Sequence, residues 1–427
     1  MGSYIGGYPH VRIARSVKSD LYAKALVLEA NGKRLAIVAN DLVVVTPEIV
    51  QGTRKLIAER CGIEPEAVMI CATHTHTSAE VRYRKSHPYD ADPEYNADLV
   101  KRIARAVERA CHAMFDAKLY VGKTEAAGLS RNRSVRLQNG RDIVCYSDPP
   151  KGTGHDDEIV GYAGPVDPSV QTLCVEDSQG RVRAMAVNFA AHPNKGRKAD
   201  YYWAQWPGEA AAGIAEKYGK DVVTLVLQGA AGDISCAETQ EKVGRAIGDA
   251  AIRGNEPANR AVERNFLDKR LNLLGIPYAR RADLGEVIGY FRRLKELTVG
   301  EKRRLKSLYK YYDVWEHDNQ LADVPVQCLR VGDTAIVGLP VEPFAAIGLE
   351  IKKRSPARRT FVVGYANDKI GYMPTVDQAN RCGYGETPCE TRHLAADAAE
   401  IVVEAAVQSL HDLWPEHMSA DGSLAAN

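Results

Sequence analysis

The chain has 427 residues, of which 45% are hydrophobic, so it can form one large catalytic domain or two closely packed lobes around a sizeable core. Its 56 lysine and arginine residues nearly balance 55 aspartate and glutamate residues, and the formal charge of +1 gives no reason to expect a nucleic acid or an anionic membrane as a partner. The longest apolar runs are strand-length, far short of the roughly 20 residues that a membrane-spanning helix needs.

The amino-terminal part predicts a hairpin followed by a helix. Apolar runs at 25–28 and 35–39 flank Asn31 and Gly32, a pair that readily adopts the positive φ angles of a tight hairpin turn. Apolar residues at helical spacing then indicate a helix over 47–60.

The next predicted strand ends in two histidines. Residues 68–72 are uniformly apolar and short, which indicates a buried strand. A long amphipathic helix is expected to follow over about 92–114. The strand leads directly into the polar sequence Thr73-His74-Thr75-His76.

Two later strands also end in polar or glycine-rich sequence. Residues 120–187 indicate mostly strands and loops, and the apolar run 184–190 ends next to His192. A third buried strand, at 222–227, leads into the glycine-rich residues 228–233. Three strand ends therefore present residues capable of chemistry.

The carboxyl-terminal part combines a charged region with further strands. Residues 255–320 are rich in charge and are interpreted as a solvated helical insertion without a catalytic cluster. A hairpin predicted over 326–337 leads to Glu342, a strand is expected at 360–363, and a final helix at about 395–413. The predicted elements thus include both helices and buried strands.

The histidines and one carboxylate suggest a metal site. Side chains alternate along an extended segment, so His74 and His76 are expected to point to the same side. Zinc prefers imidazole and carboxylate ligands, and a catalytic site typically has three protein ligands and one open position. His192 and Glu342 would complete such a set.

Seven sequence blocks, in the same order along the chain, resemble the catalytic domain of the neutral, non-lysosomal ceramidases. The resemblance extends over about residues 4–410. The blocks are Asp20-Leu21-Tyr22-Ala23-Lys24-Ala25, Ala72-Thr73-His74-Thr75-His76-Thr77-Ser78, Asn132-Arg133-Ser134, Asn188-Phe189-Ala190-Ala191-His192, Gly232-Asp233-Ile234-Ser235, Pro340-Val341-Glu342, and residues 367–375 with Tyr384.

The resemblance implies one zinc ion per chain, with His74, His192, Glu342 and Tyr372 as its ligands. Tyrosine ordinarily has a pKa of about 10, so Tyr372 is expected to be a long or exchangeable ligand. The resemblance also implies a mixed α/β fold in one domain of residues 1–427, with buried β-sheets sandwiched by helices.

The resemblance also implies residues that act on the substrate. His76 would handle protons, and Arg133 and Tyr384 would hold the scissile carbonyl, although Arg131 could take the place of Arg133. Ser235 could be a nucleophile, but no dedicated histidine base is evident beside it, so we favour a supporting or substrate-binding role.

Several departures from the family pattern argue against a lipid substrate. Pro193 follows His192 where the family has a glycine, aromatic residues make up only 7% of the chain, and no segment suggests an acyl-chain groove or membrane-docking surface. The family's secretion signal and immunoglobulin-like domain are not expected here, which predicts a cytoplasmic protein.

The sequence therefore predicts a zinc-dependent amidohydrolase that cleaves a small polar N-acyl substrate, with no nucleic-acid partner, no membrane insertion and an undetermined oligomeric state. Two alternatives stay open. The same metal site could act on a carbohydrate, cyclitol or ester as a glycosidase, esterase or lyase, because fold does not fix function. The chain could also be a non-catalytic metal-binding protein.

Overall fold

The computed structural model describes residues 3–83, 91–147, 149–294, 296–379 and 381–417. Within these ranges, no helix is both long and apolar enough to cross a bilayer. The helices are α1 (Pro47–Cys61), α2 (Pro93–His112), α3 (Gln205–Tyr218), α4 (Gln240–Gly254), α5 (Arg281–Arg293), α6 (Val299–Val314), α7 (Ala345–Arg354), α8 (Val376–Ala379) and α9 (Ala398–Leu413).

Three larger sheets form the framework. The first has the order β2 (Ala23–Ala30), β3 (Lys33–Asn40), β4 (Val68–Ala72). The second has the order β13 (Val223–Gln228), β11 (Val182–Phe189), β10 (Ser169–Asp177), β5 (Ala117–Glu125), β15 (Arg260–Val262). The third has the order β16 (Leu267–Pro277), β17 (Leu321–Val331), β18 (Thr334–Gly338), β20 (Arg359–Val363).

Smaller sheets connect the loops near the strand ends. They pair β1 (Ser16–Val17) with β12 (Tyr201–Tyr202), β14 (Ile234–Cys236) with β6 (Ser130–Asn132), and β19 (Glu342–Pro343) with β21 (Tyr372–Met373). A further sheet has the order β8 (Asp142–Val144), β7 (Ser134–Leu137), β9 (Ile159–Tyr162).

The main hydrophobic core lies between the sheets, because alternate side chains of each strand face opposite layers. In β13, Leu225 and Leu227 enter this central core, whereas Val226 packs under α3 and α4. In β20, Phe361 enters the central core and Val362 packs with residues of α7 and α9. Helices therefore cover the outer faces, and the predicted mixed α/β fold with buried sheets between helices is confirmed.

The predicted hairpin and buried strands are present. β2 and β3 pair antiparallel around Asn31 and Gly32, which have φ angles of 44° and 74°. The strands predicted at 68–72, 184–190 and 222–227 correspond to β4, β11 and β13.

The prediction of a helical insertion over 255–320 was wrong for its first part. Helices α5 and α6 occupy 281–293 and 299–314, but residues 260–262 form β15 and residues 267–277 form β16. β16 is an edge strand of the third sheet. Charged side chains are common on edge strands, where they discourage pairing with another chain. The charged residues there indicated an exposed face and were mistaken for a sign of helix.

Candidate metal centre

The carboxyl ends of several strands meet at one place in the structure. His74 follows β4, His192 follows β11, and Glu342 follows β18 at the start of β19. His74 has a left-handed φ of 65°, a conformation that costs a non-glycine residue about 1–3 kcal/mol and is typical of functional sites.

Three histidine side chains converge at these ends. The His74 Nε2 atom lies 2.8 Å from His192 Nε2 and 3.0 Å from His76 Nε2. One ring nitrogen from each of the three lies within 4.8 Å of the others, and all three residues are buried. The two histidines predicted as metal ligands are therefore brought together, and His76 joins them.

Backbone carbonyls select the tautomer of two of these rings. His74 Nδ1 lies 2.6 Å from the Val43 carbonyl and His192 Nδ1 lies 3.1 Å from the Ala231 carbonyl. A carbonyl can only accept a hydrogen bond, so each Nδ1 carries the proton. In the neutral rings, both Nε2 atoms then present lone pairs to the centre of the cluster.

Burial keeps these rings neutral. It lowers the pKa of His74 to about 3, and it also holds the pKa values of His76 and His192 well below their usual range. Two Nε2 lone pairs 2.8 Å apart repel each other unless a cation lies between them. Neutral imidazole nitrogen is also the form that binds a metal.

Glu342 provides a carboxylate beside the histidines. Its Oε2 atom lies 3.8 Å from His74 Nε2 and 3.9 Å from His192 Nε2. Burial raises the pKa of Glu342, and hydrogen bonds from Tyr372 and Tyr365 partly offset that rise. The carboxylate completes the set that the sequence predicted.

Tyr372 lies between Glu342 and Arg133. Tyr372 is paired with Glu342 where β19 and β21 run side by side. Its hydroxyl accepts a hydrogen bond of 3.1 Å from Arg133 Nη2. Burial and the nearby Glu342 carboxylate raise the pKa of Tyr372. The hydroxyl therefore stays protonated and donates a hydrogen bond to Glu342.

The structure distinguishes the two candidate arginines. Arg133 is buried and faces Tyr372 and Tyr384, with its guanidinium carbon 5.8 Å and 5.7 Å from their ring centroids. Arg131 instead donates to the carbonyls of Cys145 and Ser147. Arg133 is therefore the arginine that reaches this site.

His76 is held differently from the other two histidines. Its Nδ1 is buried and has no hydrogen-bond partner among the residues that the structure describes. Its backbone nitrogen donates to the carbonyl of Pro193, the residue that departs from the family pattern. Histidines that bind metals almost always donate their second ring N–H to a partner, so His76 does not have the surroundings of a typical ligand.

Ser235 lies next to His192, but its hydroxyl does not take part in the site. Its backbone forms a parallel bridge with His192. Its Oγ is buried and, within the described ranges, makes no hydrogen bond. Among the residues that the structure describes, no base is therefore hydrogen-bonded to the Ser235 hydroxyl.

Two residues near the site were not assigned a role from the sequence. Tyr365 stacks on His74 with ring centroids 3.8 Å apart, and its hydroxyl donates to Glu342 Oε2 at 3.2 Å. Asp233 accepts from Asn132 Nδ2 at 2.6 Å and from the backbone nitrogen of Ala345 at 2.8 Å. Tyr365 therefore orients His74 and Glu342, whereas Asp233 joins Asn132 to the start of α7. In the sequence, Asp233 lies in one of the blocks that resemble the ceramidases, and Tyr365 lies just past the strand predicted at 360–363.

Comparison with known proteins confirms the resemblance to neutral ceramidases. No family model matches the chain. The neutral ceramidase of Pseudomonas aeruginosa is 28% identical over 203 residues, a match that covers 43% of this chain and 28% of that protein. The aligned region thus spans less than a third of the relative's length.

Solved structures match the whole fold. The crystal structure of neutral ceramidase from Pseudomonas aeruginosa superposes with a TM-score of 0.74 at 17% identity and covers 100% of this chain and 74% of that chain. A ceramidase complexed with C2 gives a TM-score of 0.76 at 18% identity, covering 100% of this chain and 75% of that chain. The chain therefore has the neutral ceramidase fold.

Proposed function

We propose that the chain is a zinc-dependent hydrolase that cleaves the C–N bond of an amide. The observation that carries this proposal is the distance of 2.8 Å between the Nε2 atoms of His74 and His192. Both atoms present lone pairs when the rings are neutral, and a cation between them would offset the repulsion. The likeness to neutral ceramidase supports amide hydrolysis.

The residues fit a zinc ion. His74, His192 and Glu342 would supply two nitrogens and one oxygen, the ligand types and number of a catalytic zinc site. Tyr372, which is paired with Glu342 between β19 and β21, would be a further, weaker ligand. The distance of 2.8 Å between the Nε2 atoms of His74 and His192 is shorter than the roughly 3.3 Å expected between two nitrogen ligands of a tetrahedral zinc ion. When bound, zinc supplies Lewis acidity and lowers the pKa of a water molecule to about 7.

Arg133 and Tyr384 would stabilise charge on the substrate. Hydrolysis of an amide places negative charge on the carbonyl oxygen, and preorganised donors stabilise that charge more than they stabilise the ground state. Arg133 is fixed by its hydrogen bond to Tyr372. Tyr384 is partly exposed and its ring centroid lies 5.3 Å from that of Tyr372, so it borders the site on the side from which a substrate would enter.

His76 would move the proton. In the overall reaction, water adds to the carbonyl carbon, the C–N bond breaks, and a proton passes to the departing amine. His76 lies beside the metal position, with its Nε2 atom 3.0 Å from His74 Nε2, where it would accept a proton and release it to the amine nitrogen. Its Nδ1 has no hydrogen-bond partner within the described ranges, so the ring lacks the backbone contact that fixes His74 and His192.

We expect His76→Gln to keep the metal and to lower kcat by about 100- to 10,000-fold, the usual contribution of a positioned acid or base. Glutamine preserves most of the packing against Tyr8, whose ring centroid lies 5.0 Å from that of His76. Zinc content by elemental analysis and kcat on an amide substrate are the two measurements. Loss of zinc in this variant would make His76 a ligand and would overturn the proton-transfer role.

We expect Ser235→Ala to retain most of the turnover, within about tenfold of the unmodified protein, because no base is positioned beside the hydroxyl. The measurement is kcat together with intact-protein mass spectrometry of the reacting enzyme. An inactive Ser235→Ala variant with zinc in place, and a substrate-derived adduct on Ser235, would replace activated water by a covalent mechanism.

The reaction class is tested by a substrate panel with matched leaving groups. N-acyl amines, esters and glycosides are compared at the same concentration with zinc-loaded protein. Turnover of amides is expected to be fastest. Glycoside turnover without amide turnover would contradict the proposal and favour the carbohydrate alternative that the sequence left open.

A further inference from the structure

An amino-terminal hairpin, residues 3–14, lies against the segment that carries His76. Its two arms are joined by a backbone hydrogen bond of 2.9 Å from the Ile5 nitrogen to the Arg12 carbonyl. Ile5 also forms an antiparallel bridge with Ala79, three residues past His76. The hairpin is therefore fixed beside the candidate metal centre, and the reaction proposed above gives it no role.

Gly7 brings the backbone of the hairpin against the His76 side chain. Gly7 has a left-handed φ of 101°, and a Cβ atom at this position would lie 2.6 Å from His76 Cγ and 2.8 Å from His76 Nδ1. Atoms that are not bonded cannot approach this closely, so the position requires glycine both for its φ angle and for its lack of a side chain. The Gly7 backbone therefore fills the space beside Nδ1, the ring atom that has no hydrogen-bond partner among the described residues.

Tyr8 packs against the same ring. The ring centroids of Tyr8 and His76 lie 5.0 Å apart with the ring planes at 73°, an edge-to-face arrangement that is favourable for aromatic rings. The Tyr8 hydroxyl donates a hydrogen bond to the carbonyl of Asn194, two residues past His192. Tyr8 thus connects His76 to the loop that follows His192.

Arg12 holds the backbone around these contacts. Arg12 is buried, and its Nη2 atom donates to the His76 carbonyl at 2.8 Å and to the carbonyl of Gly6. Its Nη1 atom donates to the Gly196 carbonyl at 2.9 Å, in the loop after His192. A guanidinium offers five donors in a fixed planar arrangement, which lets this one side chain join three segments of backbone.

The three histidines of the centre are consequently held in two different ways. The carbonyls of Val43 and Ala231 orient the rings of His74 and His192 through Nδ1, and neither carbonyl belongs to the hairpin. The His76 ring depends instead on packing against the hairpin. Disturbing the hairpin should therefore displace this ring and leave the two predicted ligands in place.

We propose that the amino-terminal hairpin positions the His76 ring for proton transfer. The contacts come from Gly7, Tyr8 and Arg12, and they hold the Nε2 atom of the ring 3.0 Å from His74 Nε2, next to the place where the metal would bind. The three hairpin residues act through the ring and have no part in binding the metal. This inference rests on the proposed role of His76 as the proton carrier, and it adds the residues on which that role depends.

Gly7→Ala is expected to lower kcat by about 10- to 100-fold while zinc content and KM are retained, because a shift of about 1 Å in a reacting group can cost about 100-fold in rate. The added methyl group would meet the His76 ring. Gly180→Ala is the matched control and should keep kcat. Gly180 has a left-handed φ of 73° in the turn between β10 and β11, and a Cβ atom there would meet no atom within 4 Å, so this variant has the backbone strain without the contact.

Arg12 provides a second test that adds no atoms to a tight backbone position. Arg12→Met removes every donor and should lower kcat about as much as Gly7→Ala. Arg12→Lys keeps an ammonium that can still donate to one of the carbonyls, so it should restore part of that kcat. Thermal unfolding identifies any variant that has lost its fold, and the comparison of Arg12→Lys with Arg12→Met then decides in place of Gly7→Ala.

Combination with His76→Gln shows whether these residues act through the ring. In the His76→Gln background there is no imidazole to position, so Gly7→Ala and Arg12→Met should each lower kcat by less than about twofold further. An equal loss in both backgrounds, or full kcat in folded, zinc-loaded Gly7→Ala protein, would overturn the positioning and leave amide hydrolysis intact. Full kcat in His76→Gln alone would remove the proton-transfer role and this inference with it.

Ring resonances of histidine-labelled, zinc-loaded protein separate this inference from a failure of the proposed function. The His76 resonance is identified by its loss in His76→Gln. Gly7→Ala is expected to shift it and to leave the resonances of His74 and His192 unshifted. If the unmodified protein releases no amine from any amide, amide hydrolysis is contradicted. A shifted His76 resonance would then still support the hold of the hairpin on the ring, and an unshifted one would overturn it.

Discussion

Replacing His192 with alanine is expected to remove the metal and abolish turnover. His192 Nε2 is buried, lies 2.8 Å from His74 Nε2, and has its tautomer fixed by the Ala231 carbonyl. Losing only the outer partner of a metal ligand typically costs about 10- to 100-fold in affinity or activity, so losing the ligand itself should cost more. His74→Ala is expected to behave in the same way.

A histidine outside the site is the control for this experiment. His112 is exposed at the end of α2, and His112→Ala should keep both zinc and turnover. Zinc content is measured by elemental analysis after gel filtration, and folding by circular dichroism. A folded His192→Ala protein with full zinc occupancy would show that His192 had been wrongly assigned as a ligand.

Arg133→Lys is expected to retain zinc and to lower kcat by about 100- to 1,000-fold, the usual loss on removing one donor to a developing oxyanion. Lysine keeps the charge but lacks the planar guanidinium that bonds Tyr372 and the Gly232 carbonyl at the same time. The effect should fall on kcat more than on KM, because the contact strengthens as charge develops.

Arg131→Lys is the matched control, because Arg131 donates to the carbonyls of Cys145 and Ser147, away from the metal centre. It is expected to affect stability more than kcat. Equal losses of kcat in both variants, or a loss confined to Arg131→Lys, would contradict the assignment of Arg133 to the carbonyl oxygen.

Local patterns were sufficient to predict much of the framework. The turn at Asn31 and Gly32 and the buried strand β4 each depend on a few consecutive residues. The Asn-Gly pair identifies the turn, and the short apolar run identifies the strand. The convergence of His74, His192 and Glu342 also followed, because each lies just past a predicted strand.

Other features depend on contacts between distant segments. β16 is stabilised by pairing along its whole length with β17, which overrides its charged composition. Tyr365 has a left-handed φ of 56° that turns its ring onto His74, and nothing local in an apolar strand end predicts that turn. The choice of Arg133 over Arg131 likewise depends on where β6 ends, because Arg131 lies in the strand and Arg133 lies just past it.

The metal content of the purified protein, followed through chelation and restoration, tests the central proposal most directly. We expect one zinc ion per chain, loss of zinc and amide turnover together on dialysis against a chelator, and recovery of both when zinc is added back. Full amide turnover by protein from which all metal has been removed would contradict it.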